Sequence, residues 1–407
     1  MNFEYYFAKR ITFNPERKAS SLVIRLGIVS IALAVATMEI ALSFVQGFQN
    51  EISNKVVGFG SHLQVVTYFR EVDTEVMPID RYEPTLDSVR KLPYVASVSP
   101  YVEKSAALKS KTGWDGTMLR GVDSTFDWRF FATVLVDGAL PEYGATEELY
   151  HQEILISKKQ SKVLNLSVDD KAVLLFFPEP YRRRPVRVAG IYETGMEEFD
   201  NNVVICDMRL LQQIWDWNDN EVTGFSINLH DLQDLDQAHE EVNGIIPYSM
   251  GAESITYLFR GIFDWLSLLH QNVWVILILM MVVSIINMTS VTLILIIERA
   301  NTVGILKAQG MSSSRIQRMF LWYALFLILI GIVLGNVIGL GLLASQDWLH
   351  WLRVSQEDYF IEVVPVAWVW SRFFIVNLMV ALICTTAMVI PTWVINRITP
   401  LRAIRFQ

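Results

Sequence analysis

Only two cysteines and six histidines occur in 407 residues, so the chain is poor in the side chains that staple small folds and hold metals. Cys206 lies in a stretch of soluble character and Cys384 inside an apolar run, and no disulfide framework is expected from them. No Cys/His pairs stand at zinc-ligand spacing. His239-Glu240-Glu241 does not begin an HExxH helix either, because Asn243 takes the place of the second histidine. Neither GxxxxGKS nor GxxxxGKT occurs, which leaves the chain without a P-loop or an ATP site of its own. No Ser/His/Asp set is recognisable, and the paired acids Glu197-Glu198 and Glu240-Glu241 read as solvated faces. Charge is scarce as well, at 19% of residues against roughly 25% in a typical soluble domain. The net formal charge of −8 argues against a nucleic-acid partner, which calls for a basic patch.

What the chain has in excess is apolar length. Hydrophobic residues make up 52%, and the surplus is gathered in four blocks, residues 26–45, 273–297, 320–343 and 373–395. At about 1.5 Å of rise per residue, a helix of about 20 residues crosses a hydrocarbon core of roughly 30 Å. The first block exceeds the apolar run of a signal peptide, about 7–15 residues, and no small-x-small cleavage site follows near Phe44, so an uncleaved span is expected. Basic residues set the sides. Lys9, Arg10, Arg17, Lys18 and Arg25 precede the first span, Arg299, Lys307, Arg315 and Arg318 lie between the second and third, and Arg397, Arg402 and Arg405 follow the fourth. Both termini and the central loop are therefore expected in the cytoplasm. The acidic stretch after the first span faces outward.

The expected fold is a four-helix all-α transmembrane domain with a large α+β domain inserted between helices 1 and 2. Residues 1–22 mix Phe3, Tyr5, Tyr6, Phe7, Ile11 and Phe13 with cations, the pattern of an interfacial amphipathic helix. Residues 23–57 are the first span with an outward helical extension carrying Phe48, Ile52 and Val56. Residues 58–269 form the outer domain, with strands expected over 63–67, 95–101, 117–120, 154–156, 173–177, 185–190, 203–206 and 224–229. Helices are expected over 85–92, 208–215 and 232–242, the last two capped by Asp207 and Asp231, with Leu232, Leu235, Ala238 and Val242 on one face. Arg182, Arg183 and Arg184 are expected at a hairpin tip. Residues 270–407 hold the remaining spans, their depth marked by Trp265, Trp274, Trp348, Trp351, Trp368 and Trp370 outside and by Trp322 and Tyr323 inside.

Gly331, Gly335 and Gly339 recur every four residues, the spacing that lets a neighbouring helix approach closely. Asn287, Asn336 and Asn377 are candidates for bonds between helices. Glu39 lies within the first span, where a carboxylate exposed to lipid costs several kcal/mol; it faces either a cavity or a packed partner. Between the second and third spans, residues 299–310 read as a short helix closed by Gly310, with Ser312 positioned to cap the next. Such a helix suits docking on a soluble partner, and a plain surface helix reads the same way.

This loop carries a resemblance. Ile297-Glu298-Arg299, Gly304-Ile305-Leu306-Lys307-Ala308-Gln309-Gly310, Ile316 and Phe320 resemble the signature of the FtsX-like (MacB-type, type VII) ABC permeases. The ending Pro391-Thr392-Trp393, Arg397 and Pro400-Leu401-Arg402-Ala403-Ile404-Arg405 is similar to that family's C-terminal pattern. Where the family has an acidic and a basic residue before Gly-Ile-Leu, this chain has Asn301-Thr302. Residues 42–51, Gly58, His62-Leu63, Gly121-Val122-Asp123, Asp137-Gly138 and Ile154-Leu155-Ile156-Ser157 resemble the LolC/LolE lipoprotein-releasing permeases.

The resemblance implies a MacB-like periplasmic core in the outer domain and a place in the bacterial inner membrane. It implies a permease that is not itself an enzyme and binds no cofactor, ATP and Mg being handled by a dimer of a separate ABC ATPase subunit. A second permease subunit, lipoprotein substrates taken from the outer leaflet, a periplasmic lipoprotein chaperone and membrane lipids are the other implied partners. Coupling to the ATPase falls on Glu298, Arg299, Gly304, Ile305, Leu306, Lys307 and Gly310. Acyl contact is expected at Glu39, Leu42, Val45, Phe48, Val275 and Leu279, and chaperone contact at Tyr181, Arg182, Arg183 and Arg184. A MacB-like exporter of peptides or drugs, and an FtsX-like regulator of cell-wall hydrolases, are the competing readings.

Overall fold

A computed structural model describes residues 18–67, 77–144, 150–177 and 182–397. Of the interfacial helix expected over residues 1–22, only the last few residues are described, and they already belong to the first long helix. Tyr181 and the basic tail at Arg402 and Arg405 lie outside the described residues. The chain forms two units: Met1–Gln49, Trp265–Arg353 and Val363–Gln407 in one, Asn50–Asp264 and Val354–Glu362 in the other.

The first unit is helical. Four of the described helices are long and apolar enough to cross a membrane. The first spans Lys18–Gly60, the second Arg260–Glu298 and the third Ser313–Leu349. The fourth runs Trp370–Ala387 and continues in two short turns, Val389–Thr392 and Val394–Arg397. The break has a cause in the sequence: Pro391 has no N–H to return to the carbonyl of Ala387. A core of Ile31, Val35, Met38, Met288, Val291, Tyr323, Leu327, Val376, Val380 and Cys384 joins all four helices. In the same unit Ser43 Oγ donates to the Ala367 carbonyl at 3.0 Å, and Asn287 Nδ2 donates to Ser30 Oγ.

The second unit is α+β. Among the described residues its twelve strands are β1 (Leu63–Thr67), β2 (Ile79–Asp80), β3 (Val95–Lys109), β4 (Trp114–Val122), β5 (Leu135–Gly138), β6 (Glu153–Ser157), β7 (Lys171–Phe176), β8 (Arg182–Tyr192), β9 (Val203–Asp207), β10 (Glu221–Val222), β11 (Gly224–Leu229) and β12 (Met250–Ser254). Ten of them make one mixed sheet in the order β12-β1-β11-β3-β4-β9-β6-β8-β5, with β7 bridging β3 and β8; β2 and β10 pair separately. The β4–β9 and β6–β8 pairs are parallel, the second crossing over through helix Lys158–Leu164 and strand β7. Helix Lys158–Leu164 opens with a capping box in which Ser157 accepts from the Gln160 N–H. Helix Met208–Trp215 opens on Asp207, as expected, and closes on Asp216 in the left-handed conformation. The C-terminal end of the first long helix packs here too: Ile52 and Val56 are fully buried, and Phe59 stacks on Phe199 at 4.0 Å.

Three expectations are corrected. β3 does not stop at Tyr101 but runs to Lys109, because Glu103 and Lys104 have partners that let a charged stretch stay in the ladder. Lys104 Nζ lies 3.3 Å from the centre of the Trp215 ring, and Glu103 faces Arg120 at 3.8 Å. Arg182, Arg183 and Arg184 are not a hairpin tip; they are ladder residues of β8 opposite Phe176, Leu175 and Leu174. Asp231 caps a 3-10 turn, Leu232–Asp234, ahead of the α-helix Leu235–Ile245, so Leu232 falls off the buried face that Leu235, Ala238 and Val242 share. Cys206 and Cys384 are both buried and unpaired.

Candidate functional site

Within the helical unit, three long helices enclose a slot of about 540 Å³. The first contributes Met38 and Leu42. The second contributes Val273, Leu277 and Met281 along one stripe and Trp274, Ile278 and Val282 beside it. The fourth contributes Ile375, Val376, Met379 and Ile383. Ile278, Val282 and Ile375 are about half exposed, so the slot opens sideways onto the helix surface. Its lining is apolar except at His270 of the second helix and Arg372 in the first turn of the fourth. An apolar slot opening along membrane-crossing helices suits hydrocarbon chains, because no polar group inside it needs a partner.

Of the residues expected to meet acyl chains, Leu42 lines this slot. Val275 and Leu279 are 62% and 53% exposed on another face of the second helix and do not line it. Val45 and Phe48 are partly buried further along the first helix. Sequence reasoning missed the Val273–Leu277–Met281 stripe because a helix apolar all round carries no phase. The usable signal was polar: His270 and Arg372 mark the faces that turn toward the slot.

Glu39, next to Met38 in the chain, is fully buried and does not line the slot. Asn377 Nδ2 donates to its Oε1 at 3.2 Å, and Oε2 has no hydrogen-bond partner among the described residues. Asn377 and Asn336 exchange reciprocal amide bonds of 2.9 and 3.0 Å, so one polar knot ties the first, third and fourth helices. The glycine row explains how they come so close. A Cβ on Gly331 would lie 2.8 Å from Ile31 Cβ, one on Gly335 2.7 Å from Val35 Cβ, and one on Gly339 2.7 Å from Glu39 Oε2. All three glycines face the first helix, with backbone in van der Waals reach.

The linking helix spans Ala300–Ala308, with Arg299 at its N-cap. Val303 and Gly304 are buried, and Leu306 packs against the helical core. Lys307 Nζ donates to the Ile395 carbonyl at 2.6 Å, and burial holds the Lys307 ammonium below its ordinary range. Gly310, at φ +88°, turns the chain into the third helix. Ser312 takes the N-cap backbone position there without a side-chain bond. The outward stripe is Asn301, Ile305, Ala308 and Gln309, with Ile305 46% exposed, and Glu298 is exposed just before the helix. Among the residues to which the resemblance gives coupling, Ile305 and Glu298 therefore face outward, whereas Gly304, Leu306 and Lys307 hold the helix in place.

In the α+β unit, Arg182 is engaged: it donates to the carbonyls of Gln213 and Ile214 and to the Asp216 carboxylate, which it holds below the usual carboxylate range. Arg183 is exposed and Arg184 half-buried. Among the described residues no cluster of His, Cys, Asp and Glu is arranged to hold a metal.

Residues 26–245 match the model of the MacB-like periplasmic core domain, and residues 274–400 that of the FtsX-like permease C-terminal region. The lipoprotein-releasing system transmembrane protein LolC of Xylella fastidiosa is 22% identical, over 95% of this chain and 94% of that protein. The lipoprotein-releasing system transmembrane protein LolE of Haemophilus influenzae is 20% identical, over 85% of each chain. Among solved structures, the periplasmic region of MacB from Actinobacillus actinomycetemcomitans covers 53% of this chain and 99% of its own length, with 13% identity and a TM-score of 0.35. The chain belongs to the family that carries the MacB-like periplasmic core domain, here joined to an FtsX-like permease C-terminal region, and resembles LolC and LolE over nearly its full length.

Proposed function

We propose that this chain is the membrane permease subunit of a transporter that lifts lipoproteins out of the outer leaflet of the bacterial inner membrane. The observation that carries the reading is the sideways-open apolar slot in a chain similar over most of its length to lipoprotein-releasing proteins. In this reading both termini and the Ala300–Ala308 helix lie in the cytoplasm, and the α+β unit lies in the periplasm. Pulling acyl chains from a bilayer costs about 0.8 kcal/mol per CH₂, so the work must come from outside a chain that lacks a P-loop. A separate ATPase dimer, binding ATP and Mg, docks on the outward stripe of Asn301, Ile305, Ala308 and Gln309. A second permease subunit completes the assembly, and a periplasmic chaperone receives the cargo, with exposed Arg183 as a contact.

Depletion of the chain in cells tests this directly. Lipoproteins are expected to accumulate in the inner membrane; their normal arrival at the outer membrane overturns the proposal. Co-purification with an outer-membrane channel and adaptor would favour the exporter reading instead, and with a cell-wall hydrolase the regulator.

A further inference from the structure

Two polar side chains interrupt the apolar lining of the slot, Arg372 in the first turn of the fourth helix and His270 about three turns into the second. Arg372 stands two residues after Trp370, where the fourth helix begins, and His270 stands just before the apolar block of the second. Trp274 Nε1 donates to His270 Nε2 at 3.1 Å, which leaves Nδ1–H of a neutral ring as a donor. Arg372 enters none of the ion pairs among the described residues. A guanidinium at the membrane boundary is stabilised by an anion that meets its planar fork.

The dimensions specify what the anion is attached to. The lining runs over residues 270–282 and 372–383, about 18 Å at about 1.5 Å per residue, close to one leaflet of a roughly 30 Å hydrocarbon core. With on the order of 30 Å³ per methylene, the share of a liquid water, a chain of about 16 carbons needs about 480 Å³. The 540 Å³ slot is therefore large enough for one acyl chain.

We infer that the slot is a binding site for a phospholipid with an anionic headgroup, one tail in the slot and its phosphate on Arg372 and His270. The cationic rim adds a contact to a headgroup phosphate that acyl chains alone do not make. The site shares the slot with the cargo reading above but not its premise, because lipid retention needs no cargo.

The test uses the purified full-length chain, delipidated in mild detergent and offered phosphatidylglycerol or phosphatidylcholine with the same tails. Bound lipid is counted by native mass spectrometry. The wild type is expected to retain phosphatidylglycerol about tenfold over phosphatidylcholine, because both carry the phosphate but the choline ammonium of the second is repelled by Arg372. Arg372→Gln is expected to bring the ratio near one with an unchanged thermal midpoint, and His270→Ala to lower it; Arg318→Gln, at an exposed position outside the slot, leaves it intact. Should Arg372→Gln fail to fold, His270→Ala carries the test alone. Equal retention of both lipids by the wild type overturns the inference, as does an unchanged preference in both slot variants. Displacement of phosphatidylglycerol by inorganic phosphate alone also overturns it, since that marks an ion site without a tail. Equal retention alongside normal lipoprotein delivery in cells removes the lipid site and leaves the permease reading standing.

Discussion

His62 lies at the junction of the first long helix and β1, and its Nδ1 accepts from the Leu229 N–H at 3.1 Å. Burial holds its imidazole below the ordinary value of 6.5, so the unfolded chain takes up the proton first. The stability this contributes is present above that value and is lost as pH falls below it. A thermal midpoint that drops on acidification through 6.5, with a shallower slope in His62→Asn, is the expected outcome for the full chain in detergent. In the helical unit, Asn377→Leu leaves both oxygens of Glu39 without a donor and is expected to destabilise by about 1–3 kcal/mol. Gly335→Val forces a side chain into Val35 and the Ala32 carbonyl, and overpacking of this kind costs about 1–3 kcal/mol. Both are read as a lower unfolding midpoint. Gly335 was legible from its spacing alone, whereas the partner of Glu39 was not, since 338 residues separate it from Asn377.

At the scale of elements, the linking helix shows how a motif and a surface differ. Gly304-Ile305-Leu306-Lys307 is contiguous in sequence, but a helix turns by about 100° per residue, so neighbours point in different directions. Ile305 looks outward, Gly304 is buried and Lys307 is tied to Ile395. Ile305→Asp is therefore expected to abolish co-purification of the ATPase while leaving the thermal midpoint unchanged. Gly304→Asp and Leu306→Asp are expected to lose the partner only together with stability, by about 1–3 kcal/mol for a carboxylate forced among packed groups. Retained co-purification in Ile305→Asp counts against docking on this stripe. The strands of the α+β unit were legible wherever apolar residues alternate, as at β1 and β11. They were hidden where charged residues sit in the ladder, as in β3 and at Arg182, because partners such as Trp215 and Asp216 come from distant sequence.

For the molecule as a whole, the four apolar runs were readable from length, since crossing a bilayer constrains little else. The slot was not readable, because its shape depends on which face each uniformly apolar helix turns inward. Filling it is a direct test of its use. Leu277→Trp is expected to leave insertion and folding intact and to slow lipoprotein release about tenfold or more, the equivalent of about 1.4 kcal/mol of lost binding. Lipoprotein sorting measured in cells carrying only this variant gives the answer, and normal sorting rules the slot out as the cargo's path.

The α+β unit contains a second, distant piece of chain, Val354–Glu362. Lys55 Nζ donates to the carbonyls of Thr194 and Phe360 at 2.9 Å each, and the Gln356 side chain lies against Gly195, which has φ +77°. Excising residues 50–264 as one continuous segment would therefore discard nine residues of the unit and leave the Lys55 ammonium with one carbonyl instead of two. Such a fragment is expected to melt below one to which residues 354–362 are restored by a linker, a comparison that calorimetry can make. The α+β unit of this protein is thus not a bead on a string; to isolate it, the chain has to be cut on both sides of two separate stretches.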